Sequence, residues 1–385
     1  MILTAETKPF RAAMQTVGRV VPAKSPWPIL TNLKLVTNDD RVTLIGSDGD
    51  MTVEADVPAN VETEGVACIP FAPLAKFIGA AKADLVKISM DGNAAKVSAS
   101  RSRIALSAWP VDDYPNYRPP EGEPVTLDRD SFVAALRFAV AAAEDDEVRY
   151  HIAGPNISEK PGQVDFWGTD GKSAHHATLH GIDAIGGGGT LPMSAAMVIL
   201  AAAEKAESVA FMICARGWHL ATPGLRLWGK VIDGQYPDME RVISQFEDWS
   251  EITIAANDDL SAALSVASCG AEQDSGKSRN LILRAREGEP IVLRGQKAMG
   301  GVLAAGRAEM EAEGQMEFAG AISAKYLSAA VAGIPEKDLA IEGCVQEGSA
   351  IGKAIRVKPA QSSNTLDMSA LIMALRVSEA EMADV

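Results

Sequence analysis

The stretch WGTDGKSAHHATLHG, residues 167–181, gathers Asp170, His175, His176 and His180 within eleven positions, and it holds three of the chain's five histidines. Imidazoles and a carboxylate so spaced could hold a divalent metal or pass protons in acid–base catalysis. A metal-dependent hydrolase is therefore one function to weigh. The pattern itself argues against it, because the segment after the Gly turn reads as a strand, whose successive side chains point to opposite faces. His176 and His180 share a face but lie ~13 Å apart at ~3.3 Å per residue, too far for one ion. No metal and no catalytic residue are expected here, and the turn at Thr169, Asp170 and Gly171 becomes the informative part.

Other chemical signals are weaker. The run GIDAIGGGGTLP lacks the Gly-Lys-Ser/Thr of a phosphate loop and reads as a mobile connection. Asp112, Asp113, Asp145 and Asp146 fall in turns, where carboxylates serve as caps or solvated charge. Cys68, Cys214, Cys269 and Cys344 stand far apart with no Cys-x-x-Cys pair, so neither a zinc ribbon nor a redox dithiol is indicated. No cofactor is expected.

The elements that would position these residues come in repeats. At an offset of 122, FRAAM (10–14) matches FVAAL (132–136), GSDGDMTVEA (46–55) matches GTDGKSAHHA (168–177), IPFAPLAKFIGAA (69–81) matches LPMSAAMVILAAA (191–203), and DYPN (113–116) matches QYPD (235–238). Four landmarks in one register mean duplication of a whole domain. A weaker third copy follows about 127 residues later, with LSAAL (260–264) and SAKYLSAAV (323–331) at the two helix positions. The length of 385 residues suits two or three domains, and the expected ones are 1–122, 123–246 and 247–385.

Each copy reads as two amphipathic helices on a largely antiparallel sheet, an α+β plan, because the links are too short for parallel crossovers. In KPFRAAMQTVGRV, Phe10, Ala13, Met14 and Val17 form the core stripe. VTLIGSD, DMTVEADV and RIALSAW alternate as half-buried strands.

With each core stripe fixed, the opposite helix faces carry Lys8, Arg11, Arg19, Lys76, Arg137, Lys205 and Lys325 against Asp130 and Glu144. Lysine-rich helix faces are often no more than solvated. Yet the whole chain has a net charge of −15, which argues against indiscriminate nucleic-acid affinity while leaving room for a local basic surface. Segregated cations of this kind suit a surface that follows a polyanion without reading its sequence. No apolar run approaches a membrane span, and the start MILTAETKPFRAAM lacks the order of a secretory signal. A soluble, cytoplasmic protein is expected.

PILTNL (28–33), GSDGDM, SRSRIALSAWPVDDYPN (100–116), VRYHI (148–152), TDG (169–171), VIDGQYPDMERVI (231–243) and IMALR (372–376) resemble, in order, the landmarks of the bacterial DNA polymerase III beta subunit family, the sliding clamps. The resemblance implies a homodimer of DNA clamp-type domains closing a six-domain ring, helices inward, around duplex DNA. It implies a processivity factor and not an enzyme. By similarity Lys24, Arg149, Tyr150 and His151 would also face DNA, although His151 stands where the family commonly has a second tyrosine.

It further implies a groove that takes peptides from the polymerase III alpha subunit, the clamp loader and other proteins with a clamp-binding motif. That groove maps to Ile152, Thr169, Gly171, Lys172, Pro237, Arg241, Val242, Ser323, Tyr326, Met373, Leu375 and Arg376. Lys172, Ser173 and Ala174 depart from the family's usual His or Arg pair and Leu. Ala374 replaces its proline, and an acidic tail continues past Arg376. These departures suit a specialised or mobile-element clamp paralogue as the alternative, with residues 378–385 tuning partner choice.

Overall fold

A computed structural model describes residues 1–182, 184–255, 257–269, 280–299, 302–314, 316–345 and 351–375. Seven helices lie among them: α1 (Thr7–Val17), α2 (Phe71–Ala80), α3 (Arg129–Ala142), α4 (Met193–Ala203), α5 (Met239–Ile243), α6 (Asn257–Cys269) and α7 (Ala324–Gly333). Six stand where the repeat places them. α5 is additional: the turn after YPD winds into a short helix because the Asp238 carboxylate accepts the Arg241 N–H at 3.0 Å.

Most strands recur at the same offset. Arg41–Ser47 returns as Gln163–Thr169, and Met51–Thr63 returns as Ser173–His180. The later strands Leu85–Asp91, Ala94–Ala99 and Ser102–Ser107 return as Val209–Cys214, Gly217–Thr222 and Leu225–Gly229.

The chain falls into two compact units. The first comprises Met1–Arg129, Ile185–Gly189 and Met197–Val231. Its antiparallel sheet runs from Ser102–Ser107 through Ala94–Ala99, Leu85–Asp91, Ile2–Glu6, Met51–Thr63, Leu225–Gly229, Gly217–Thr222 and Val209–Cys214 to Val125–Leu127. α1 packs on Met51–Thr63 and Arg41–Ser47 with Phe10, Met14 and Val17 buried as the period requires. Ala13 is only half-buried. Fully burying each large apolar side chain of such a stripe contributes about 1.5–3 kcal/mol, so packing rather than propensity holds so short a helix.

The second unit comprises Asp130–Ala184, Thr190–Ala196 and Ile232–Val385. One antiparallel sheet orders Asn156–Lys160, Gln163–Thr169, Ser173–His180, Leu366–Met373, Gly352–Pro359, Asp338–Val345 and Trp249–Ala255. A second orders Val302–Met310, Ile291–Met299, Asn280–Ala285 and Phe318–Ser323.

The leading glycine of GSDG and GTDG has a steric cause. A Cβ on Gly46 would meet Val17 Cγ1 at 2.5 Å, and one on Gly168 would meet the Ala139 carbonyl oxygen at 1.7 Å. In each copy the first helix crosses its strand too closely for any side chain at that point.

The glycine run departs from its expected role as a mobile connection. Ile185 is buried, and its carbonyl oxygen accepts the Ile213 N–H at 2.9 Å, which ties the segment to the strand Val209–Cys214. Among the described residues no helix is long and apolar enough to cross a membrane.

Candidate functional site

The turn at residues 169–173 is built from its own side chains. Thr169 Oγ1 donates to the Ser173 carbonyl oxygen at 2.7 Å and accepts the Gly171 N–H at 3.0 Å. Asp170 Oδ1 accepts the N–H groups of Lys172 and Ser173 at 2.9 and 3.0 Å. Gly171 sits at φ +83°, which favours glycine. Ser47, Asp48 and Gly49 repeat the same bonds in the first copy, so the turn is a property of the repeat.

What differs in the second copy is what grips the turn from outside. The Tyr326 hydroxyl, on α7, donates to Asp170 Oδ2. Arg149 donates to the Asp170 carbonyl oxygen at 2.6 Å and pairs with Glu144. Burial by itself would raise the Asp170 carboxyl, but the Tyr326 hydroxyl and two backbone N–H groups outweigh it and hold the carboxyl below its ordinary range. For Tyr326, burial and then the neighbouring carboxylate push the phenol up, so it stays a donor.

Beside this turn lies an apolar hollow of about 250 Å³. Ile152, Thr169, Gly171, Lys172, Pro237, Val242 and Met373 line it, all of them expected. His151, Ser173, Ala174, Met239 and Leu371 line it too. The sequence carries a signal for the last two: Met239 precedes Val242 by three residues on one helix, and Leu371 precedes Met373 by two on one strand, so each pair shares a face. Ile152, Ala174, Met239 and Leu371 are buried, whereas Val242 and Met373 remain exposed at the mouth.

Four expected groove residues stand outside this lining. Arg241 is exposed on α5, Ser323 is buried at the start of α7, and Tyr326 contacts the turn from behind. Leu375 is exposed, with its N–H bonded to the Ala321 carbonyl oxygen at 2.8 Å. Arg376 and the tail at 378–385 lie outside the described residues.

The histidines are spent on the fold. His175 is fully buried, stacks on Phe138 at 4.3 Å and donates from Nδ1 to the Phe138 carbonyl oxygen at 2.8 Å. Burial pushes its pKa down to about 4, so it is neutral near pH 7. On the opposite face, His176 stacks on Trp167 at 3.7 Å and donates to Asp165. His180 bonds Asp367 at 2.9 Å. Asp165, with no exposure, also receives Lys160 at 2.7 Å and the Thr178 hydroxyl at 2.7 Å. No group of three metal-type side chains occurs among the described residues.

Of the cations expected to face DNA, Lys8, Arg19, Lys24, Lys76, Arg137 and Lys205 are exposed. Arg11 differs: its guanidinium donates to the carbonyl oxygens of Ile78, at 2.9 and 3.1 Å, and of Ala81, at 2.6 Å. It caps the carboxyl end of α2, where a cation also meets the helix dipole. Tyr150 is exposed, whereas Arg149 and His151 join the turn and the hollow.

A repeated α+β chain with exposed cations on several of its helices, and with an apolar recess beside the Thr169–Gly171 turn, has the plan of a clamp-type fold. Residues 1–118 match the family model described as DNA polymerase III beta subunit, N-terminal domain. The beta sliding clamp of Streptomyces coelicolor is 28% identical over 165 residues, 41% of this chain and 44% of that protein. That of Pseudomonas putida is 23% identical over 262 residues, 64% of this chain and 69% of that protein. The crystal structure of the DNA polymerase III subunit beta from Pseudomonas aeruginosa matches the fold with a TM-score of 0.85 at 19% identity, covering 98% of this chain and all of that one. The chain is thus similar to the beta sliding clamps, the DNA polymerase III beta subunits, in sequence most clearly over its N-terminal domain and in fold over 98% of its length.

Proposed function

We propose that this chain is a DNA sliding clamp. Two copies, each contributing domains 1–122, 123–246 and 247–385, close head to tail into a ring around duplex DNA. The hollow beside Thr169–Gly171 tethers the polymerase III alpha subunit, the clamp loader and other partners by short peptides.

The observation that carries this reading is one strand pairing that is left unmade among the described residues. Met51–Thr63 pairs with Leu225–Gly229, aligning Met51 with Gly229. Its second-copy equivalent, Ser173–His180, pairs with Leu366–Met373 in the same sense, aligning Ser173 with Ile372. The third-copy equivalent is Val302–Met310, and the first-copy equivalent of the partner strand is Ser102–Ser107. Each of these stands at the end of its sheet order. An open sheet edge is a template for another strand, and the matching edge is supplied by a second copy. A heterologous contact of this kind closes a ring when its rotation allows.

The test is mass in solution. Sedimentation at micromolar concentration is expected to give twice the 40.5 kDa of one chain, and a monomer there would contradict the ring.

A paralogue with altered partner choice is the second reading, favoured by the small Ala174 in the wall of the hollow and the exposed Lys172 at its rim. Ala174→Leu would then weaken binding of this chain's own partner peptides, as scored by peptide titration. Unchanged or tighter binding would remove this second reading.

A further inference from the structure

The largest exposed side chain in the first copy is an indole. Trp27 is 60% exposed, yet its backbone is fixed. Its N–H is bonded to Ser25 Oγ at 3.1 Å, its carbonyl oxygen accepts the Leu30 N–H at 3.0 Å, and Pro26 and Pro28 flank it. Just beyond, the short helical turn Pro28–Thr31 is anchored by buried Ile29 and Leu30, and Asn32 Nδ2 donates to the Pro28 and Ile29 carbonyl oxygens at 3.0 Å each. The ring is therefore held out into water on a stiff base, which burial of the same residue would avoid.

Charge says what kind of partner suits it. From Thr7 to Asn38 the chain carries Lys8, Arg11, Arg19, Lys24 and Lys34 and no carboxylate, within a protein of net charge −15. Lys24 is exposed three residues before the indole. In the second copy the equivalent turn, Glu147–Ile152, also puts out an aromatic ring, Tyr150, 57% exposed. There, however, residues 144–147 before it are all acidic and Arg149 pairs with Glu144, so only the first copy joins an exposed ring to a run without carboxylates. Exposed aromatics beside cations are the elements that hold unpaired strands, because every base has a π-face and every nucleotide a phosphate. An apolar protein partner would not call for the long run without carboxylates.

We propose that Trp27 is a stacking platform for an unpaired nucleobase, with Lys24 meeting the adjoining phosphate, so that the clamp holds single-stranded DNA where it leaves the duplex. The proposal rests on the reading of the chain as a DNA-encircling clamp. Trp27 touches the base directly, whereas Lys24 supplies attraction without base preference.

The experiment titrates the full-length protein into a fluorescent oligo(dT) of about 20 nucleotides, long enough for at least one site, and in parallel into a blunt duplex. Trp27→Ala is expected to weaken oligo(dT) binding about tenfold, the scale of one lost stacking contact, and to leave duplex binding unchanged. Trp27→Phe should retain most of the affinity. The emission lost by wild type on adding oligo(dT) should be smaller in Trp27→Phe, which reports on the indole itself. Wild type that ignores oligo(dT), Trp27→Ala that binds it as wild type does, or an equal loss on blunt duplex would each overturn the proposal. Retention on closed circular duplex is scored separately. Its failure in wild type would remove the encircling reading, whereas Trp27→Ala, if folded, should still be retained.

Discussion

Asp170 does three things at once: one oxygen accepts two N–H groups of its own turn, the other accepts the Tyr326 hydroxyl, and its carbonyl holds Arg149. Removing its carboxylate leaves two partly buried donors, the Ser173 N–H and the Tyr326 hydroxyl, without their acceptor. Asp170→Ala is expected to cost about 1–3 kcal/mol of stability, measured as a shift in urea midpoint, and to weaken peptide binding at the hollow. Asp165 acts in a different pH range. Its burial would raise the carboxyl, but His176, Lys160 and Thr178 hold it far below the usual range. A carboxyl depressed in the fold contributes stability above its unfolded pKa, about 3.9, and loses it as pH falls toward the folded value. His175 has the same sign for another reason: depressed by burial to about 4, it stays neutral while the unfolded histidine takes a proton. Stability should therefore decline between about pH 6.5 and 4 through His175 and below about pH 4 through Asp165. Urea midpoints across that range test this. A His175→Gln variant should flatten the first interval, and Asp165→Asn the second; unchanged slopes would contradict the assignment.

At the scale of elements, the helix crossing over Gly168 admits no side chain. Gly168→Ala should destabilise the second unit by at least the 1–3 kcal/mol typical of overpacking, because the obstacle is backbone at Ala139. A midpoint equal to wild type would show that α3 can retreat. The shared leading glycine of GSDG and GTDG was visible at the repeat offset, but not the helix that crosses it, whereas the six principal helices and the strand that opposes His175 to His176 were legible in the sequence. Other features were not. Arg11 reaches the end of α2, 67 to 70 positions away, and Tyr326 bonds Asp170 across 156. Pairings between remote side chains leave no period in the sequence. The helical face alone assigned Arg11 to solvent, because its long stem can bend back to a carbonyl that only the tertiary fold brings near. The short α5 was missed since five residues are too few for a stripe, although Asp238 marked its start.

For the whole molecule, the proposed ring would be joined at the two open edges, Ser102–Ser107 and Val302–Met310. Prolines placed singly at Ile104 and Ala105 each remove a strand N–H, and one of the two N–H groups points away from Ala94–Ala99, since neighbours in a strand alternate. One of these variants should sediment as a monomer with its helical circular dichroism intact, and two dimers would argue against this edge as the joint. The central claim is that binding is topological, with the chain staying on DNA because it surrounds it. The most direct measurement loads the protein onto nicked circular duplex, isolates the complex and cuts the circle once. Retention on the circle followed by rapid loss on linearisation is the expected result. A complex that stays bound after cutting, or that never survives isolation on the closed circle, would contradict it.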